Sequence, residues 1–83
     1  MKTNVEKAIL KTLVFSEPNI YGSVSVTSRL YTLYIQYNLE YYIVDGNVSI
    51  PNNRFRTLEE AKEAVRQDYL TRYKELLDLK YED

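Results

Sequence analysis

Cysteine, histidine and tryptophan are absent from these 83 residues, and glycine and proline occur twice each. Without cysteine there is no disulfide framework and no thiolate nucleophile. Without histidine there is no imidazole base, and nearly every zinc or haem site is excluded. An excess of one charge is missing as well: 11 Lys and Arg oppose 12 Asp and Glu, net −1. A protein that coats nucleic acid through its phosphates carries a clear basic excess instead. No apolar run approaches the roughly 20 residues of a membrane span. Residues 1–7 carry two lysines and a glutamate where a signal peptide has its apolar stretch. These absences lead to the expectation of a cytoplasmic, non-enzymatic protein with no membrane partner, no cofactor and no metal site. A chain this short makes a single small domain, 1–83, with a modest core.

What is present is read most readily in the last third. Thr57-Leu58-Glu59-Glu60 has the Thr-x-x-Glu form of a capping box, so a helix is predicted from Leu58. No glycine or proline follows, and the helix is expected over 58–79. Asp68 with Arg72 and Lys74 with Asp78 have the i,i+4 spacing of helical ion pairs. At 100° per residue Leu58, Ala61, Val65, Tyr69, Tyr73 and Leu76 share one face, with Leu70 and Leu77 at its edge. That stripe needs an apolar partner.

The partner is upstream, where the apolar period falls to two. Ile20, Val24 and Val26 alternate with Tyr21, Ser23 and Ser25. Tyr31, Leu33, Ile35 and Tyr37 alternate with Thr32, Tyr34 and Gln36, and Leu39, Tyr41 and Ile43 with Glu40, Tyr42 and Val44. Strands are therefore predicted at about 20–27, 31–37 and 39–45. Asp45-Gly46 reads as a two-residue hairpin turn into a short strand at 47–50, which Pro51 ends. A further strand is expected at 10–16, after a helical turn. The expected fold is α+β: a four- or five-stranded antiparallel sheet with one long C-terminal helix packed on one face.

The strand meander ending in Phe55, followed by Thr57-Leu58-Glu59-Glu60-Ala61-Lys62 and then Asp68-Tyr69, resembles small uncharacterised proteins of phages and prophages. In size, acidic helix and lack of catalytic equipment the chain is also similar in kind to anti-CRISPR and other anti-defence inhibitors. The resemblance implies a host defence protein or ribonucleoprotein complex as partner, bound and inhibited in the bacterial cytoplasm.

Two surfaces are candidates for such a contact. Nine tyrosines are the most unusual feature of the composition, and tyrosine combines apolar area with a hydroxyl that tolerates water. Tyr31, Tyr37, Tyr41, Tyr69 and Tyr73 are assigned to the core, whereas Tyr21, Tyr34 and Tyr42 are assigned to the solvent face as a patch. The second surface is acidic. Residues 57–83 carry five basic and eight acidic side chains, net −3, and Glu60, Glu63 and Asp78 project from the helix face opposite the core stripe. Such a row can imitate phosphates in a basic groove. The alternative readings are a single-stranded nucleic-acid binder, with sheet tyrosines stacking bases and Arg29, Arg54 and Arg56 near the phosphates, or a self-associating homodimer formed through an edge strand at Leu13-Val14-Phe15.

Overall fold

A computed structural model describes residues 4–46, 50 and 53–81, with side chains as far as Leu77. Its dominant element is the C-terminal helix, α2, Leu58–Tyr81. Thr57 caps it: the Glu60 amide donates to Thr57 Oγ1 at 3.1 Å, and the Thr57 hydroxyl donates to Glu60 Oε1 at 3.1 Å. The Ala61 amide donates to the Thr57 carbonyl to begin the helical ladder. Over its 24 residues the helix is about 36 Å long, which sets the 48 Å long axis of the molecule.

The stripe follows i+4 steps. Ala61, Val65, Tyr69 and Leu70 are buried, and Leu58, Tyr73 and Leu77 pack partly against them. Leu76, which periodicity places on the same face, is 51% exposed. After Tyr69 the contact line runs through Tyr73 to Leu77, and Leu76 lies one residue off it.

Five strands form an antiparallel meander in chain order: β1 Val14–Phe15, β2 Val24–Thr27, β3 Thr32–Tyr37, β4 Tyr42–Gly46 and β5 Arg54–Phe55. The register sorts the faces. Phe15, Val26, Leu33 and Gly46 form one row across the helix side. Val24, Ile35 and Val44 form the next, and Tyr37, Tyr42 and Phe55 the last. With the helix stripe these make a core in which Val26, Leu33, Ile35, Val65 and Tyr69 are wholly enclosed. A short helix, α1 Asn4–Leu10, lies along α2, tied by an ion pair between Glu6 and Lys74 and by buried Ile9. This confirms the α+β sheet-and-helix fold.

Several boundaries differ from those expected of the sequence. The first segment is helical to Leu10, and only Val14 and Phe15 form strand. Leu13 is buried between the two. The strand expected at 20–27 begins at Val24, because Asn19 folds the chain before it into a hairpin tip. Asn19 Oδ1 accepts from the Tyr21 and Ser23 amides, and Gly22 takes a φ of +80° that closes the turn. Ile20, expected to point inward, sits on that tip and is 91% exposed.

The phase of the fourth strand is inverted. Val44 is buried and Tyr42 packs against the core, whereas Ile43 lies on the opposite face. Asp45-Gly46 is not a turn; both residues pair within β4, Asp45 with Tyr34 and Gly46 with Leu33. Of the strand predicted at 47–50, only Ile50 falls among the described residues, and it is not in a strand. The fifth strand is Arg54–Phe55.

Candidate interaction surface

The sheet face away from α2 is built from the alternate residues of each strand. Ser25 on β2 stands opposite Tyr34 on β3, which stands opposite Asp45 on β4. Beside this row Gln36 faces Ile43, and Ile43 faces Arg54. The outward positions of β2 are small, so the surface dips there. A groove of about 460 Å³ results, floored by Ser23, Ser25 and Gln36 and bordered by Tyr21 and Tyr34, with Tyr37, whose amide donates to Ser23 Oγ, at its end. Ser16 and Asn19 close its far side, and no side chain lining it is charged.

Two hairpin tips stand at the end of this groove. One carries Ile20 and Tyr21, the latter 73% exposed. The other is the β3–β4 turn, in which the Asn38 amide donates to the Tyr41 carbonyl and Asn38 Oδ1 accepts from the Glu40 and Tyr41 amides. The tips touch through Tyr37: its amide donates to Ser23 Oγ and its hydroxyl to the Leu39 carbonyl, and its ring lies against Gly22. Leu39, at the apex of the second tip, is 84% exposed at a φ of +81°. A left-handed φ costs a residue bearing a Cβ about 1–2 kcal/mol, and glycine is the usual occupant of such a turn position.

Leu39→Gly is therefore expected to stabilise the protein. Relief of the strained backbone outweighs the roughly 0.4–1 kcal/mol by which glycine loosens the unfolded chain. The net gain is about 0.5–1 kcal/mol, read as a rise of a few degrees in the thermal midpoint. An unchanged or lowered midpoint would show that the turn stores no strain.

Of the three tyrosines expected to share the solvent face, two do. Tyr21 and Tyr34, the latter half exposed, border the groove. Tyr42 is on the helix side, half-buried, its ring 4.7 Å from that of Tyr37. The inverted phase of β4 puts it there, so the patch Tyr21-Tyr34-Tyr42 does not form. Ile20 and Leu39, expected within strands, take its place at the tips.

The acidic candidates are held locally. Glu60 is engaged with Thr57 in the cap. Glu63 accepts from Arg66 at 3.2 Å and from Gln67 at 2.8 Å on its own helix. The side chain of Asp78 lies outside the described residues. Lys74, expected to pair with Asp78, reaches Glu6 of α1. Asp68 pairs with Arg72 at 2.8 Å, as the spacing predicts, and also accepts from the Tyr31 hydroxyl at 2.9 Å. Burial, with that hydrogen bond, pushes the Tyr31 hydroxyl well above the usual phenol range. This cluster ties the β2–β3 turn to α2 and is structural.

The basic residues weighed for phosphate contact do not converge on the tyrosines of the groove. Arg54 places its guanidinium 5.0 Å from the ring centre of Tyr41, and neither Arg29 nor Arg56 lines the groove. Among the described residues no helix is long and apolar enough to cross a membrane. No protein-family model matches the chain, and no curated protein and no solved structure matches it either.

Proposed function

We propose that the chain acts by binding rather than by catalysis, as a small phage-type inhibitor that docks on a host protein complex handling nucleic acid. The contact assigned to it is the pair of hairpin tips carrying Ile20, Tyr21 and Leu39. The observation that supports this reading is Leu39, a large apolar side chain held in water on a backbone that favours glycine. Stability alone favours neither property, and strain of this kind gathers where a surface has work to do. The resemblance to phage proteins supplies the kind of host partner. Apolar docking is favoured over charge mimicry because Glu60 is held by the Thr57 cap and Glu63 by Arg66 and Gln67 of α2.

The test is capture of a partner from nuclease-treated lysate of a phage-susceptible bacterium. The native protein is expected to retain a stoichiometric protein partner with little dependence on salt. Ile20→Ser and Leu39→Gly are each expected to weaken retention at least about tenfold, while Glu60→Lys with Glu63→Lys leaves it intact. Retention that disappears with nuclease would move the reading to a single-strand nucleic-acid binder. Loss only in the glutamate variant would restore charge mimicry.

A further inference from the structure

We propose that the groove bordered by Tyr21 and Tyr34 is a binding site for a neutral sugar, a mono- or disaccharide unit. The inference does not rest on the inhibitor reading, since it concerns the groove behind the tips and its test needs no protein partner.

The groove exists because of side-chain size. Ser25, outward on β2, and Ser23, just before the strand, are small beside Tyr21 and Tyr34, which leaves a depression of about 460 Å³. That volume falls within the roughly 300–1,000 Å³ typical of small-ligand sites.

The lining polar groups divide into two sets. One set holds the site together. Ser16 Oγ accepts from the Ser25 amide at 2.9 Å, Ser23 Oγ from the Tyr37 amide at 3.3 Å, and Asn19 Oδ1 from two amides of the tip. These bonds fix the shape before any ligand arrives, which lowers the ordering cost of binding. The other set has no partner among the described residues: the hydroxyls of Tyr21, Tyr34 and Ser25 and the amide of Gln36, all of them lining the groove. Each of these groups is neutral and both donates and accepts.

Such a set matches a sugar. Every hydroxyl of a pyranose both donates and accepts, and the C–H face of the ring lies flat against an aromatic side chain such as Tyr34, which supplies apolar area beside a polar tip. An ionised ligand is disfavoured, because no charged side chain lines the groove to offset its desolvation. A nucleobase shares the stacking, but its phosphates would need the cations that the groove lacks.

The experiment is a titration of the isotope-labelled full chain, followed by amide chemical shifts, with cellobiose, maltose and diacetylchitobiose as probes and oligothymidylate as the nucleic-acid arm. At least one disaccharide is expected to shift the Tyr21, Ser23, Ser25 and Tyr34 amides saturably, with a Kd on the order of 1 mM that salt does not change. Ser25→Phe fills the floor from an outward strand position that suits an aromatic residue, and is expected to abolish the shifts. Tyr34→Ala, at a half-exposed position, is expected to weaken binding roughly tenfold with the remaining amide spectrum preserved. Absence of saturable shifts with all three sugars would overturn the proposal. So would shifts confined to another face, or saturable binding of oligothymidylate at the groove.

Discussion

Tyr69→Ala is expected to lower stability by about 3–5 kcal/mol, the cost of removing a large aromatic side chain from a closed core. For a chain of this length the total is only about 5–10 kcal/mol, so the variant loses a large share of its stability. Tyr69 is fully enclosed, with edge-on ring contacts to Tyr31 at 5.8 Å and to Tyr73 at 5.6 Å. Its hydroxyl adds a second function. The Thr12 hydroxyl donates to the Ile9 carbonyl, so the Tyr69 hydroxyl donates to Thr12 Oγ1, while the Arg29 amide donates to Tyr69 from the β2–β3 turn. One side chain thereby joins α2 to the end of α1 and to the sheet. Tyr69→Phe keeps the ring and loses the bridge, and is expected to cost about 1–2 kcal/mol. Urea denaturation followed by circular dichroism separates the two. A loss of under about 1 kcal/mol in the alanine variant would contradict the packing described here.

Gly46→Ala is expected to destabilise by about 1–3 kcal/mol, because the added Cβ is forced against buried Leu33 and the β3 backbone, even though alanine is otherwise favoured over glycine in a strand. A Cβ at position 46 would lie 2.4 Å from Leu33 Cδ2, 2.9 Å from the Thr32 carbonyl oxygen and 3.1 Å from Leu33 Cα. Leu33 is fully buried and cannot swing into solvent, and the Thr32 oxygen is backbone. Shortening the neighbour should relieve part of the clash. Leu33→Val combined with Gly46→Ala is therefore expected to cost less than the two changes summed, by about 0.5 kcal/mol or more. Additive losses would mean that Leu33 is not what position 46 must accommodate.

Gly46 also explains where the sequence was legible and where it was not. Local signals were read correctly: the Thr57 cap, the uninterrupted apolar stripe to Tyr73 and the alternation of Val24, Val26, Leu33 and Ile35 each announce an element within a few residues. Asp45-Gly46 carries the strongest hairpin pattern in the chain, yet its glycine serves packing rather than chain reversal. Whether a glycine is needed for its φ or for its missing Cβ depends on a residue thirteen positions away. The reversal after Tyr37 is expected at residue 38 alone but takes residues 38–41, and because side chains alternate, the resulting slip puts Tyr42 on the wrong face. The real turn resists reading from sequence because a leucine stands where glycine is usual. Ile20 departs from its expected inward position for a simpler reason. The Asn19-x-x-Gly22 spacing is a turn signal, and the apolar alternation was extended across it.

Of the surface, Tyr34 is legible from alternation, whereas Tyr21 is exposed because it stands beside Ile20 on the hairpin tip. The groove is not legible, since two of its floor residues are serines that attract no notice until the β2–β3 register sets Ser25 against Tyr34. The available signal is Ser23-Val24-Ser25-Val26, a segment whose outward positions are small beside tyrosine-rich neighbours.

The central claim is that the hairpin tips are shaped for contact at some expense to stability, and Leu39 tests it most directly. In partner capture from nuclease-treated lysate, Leu39→Gly is expected to be the more stable protein and yet to lose its partner at least about tenfold, so that the loss cannot be ascribed to unfolding. Capture at the native level by that stabilised variant would contradict the claim and leave Leu39 a strained turn residue with no part in recognition.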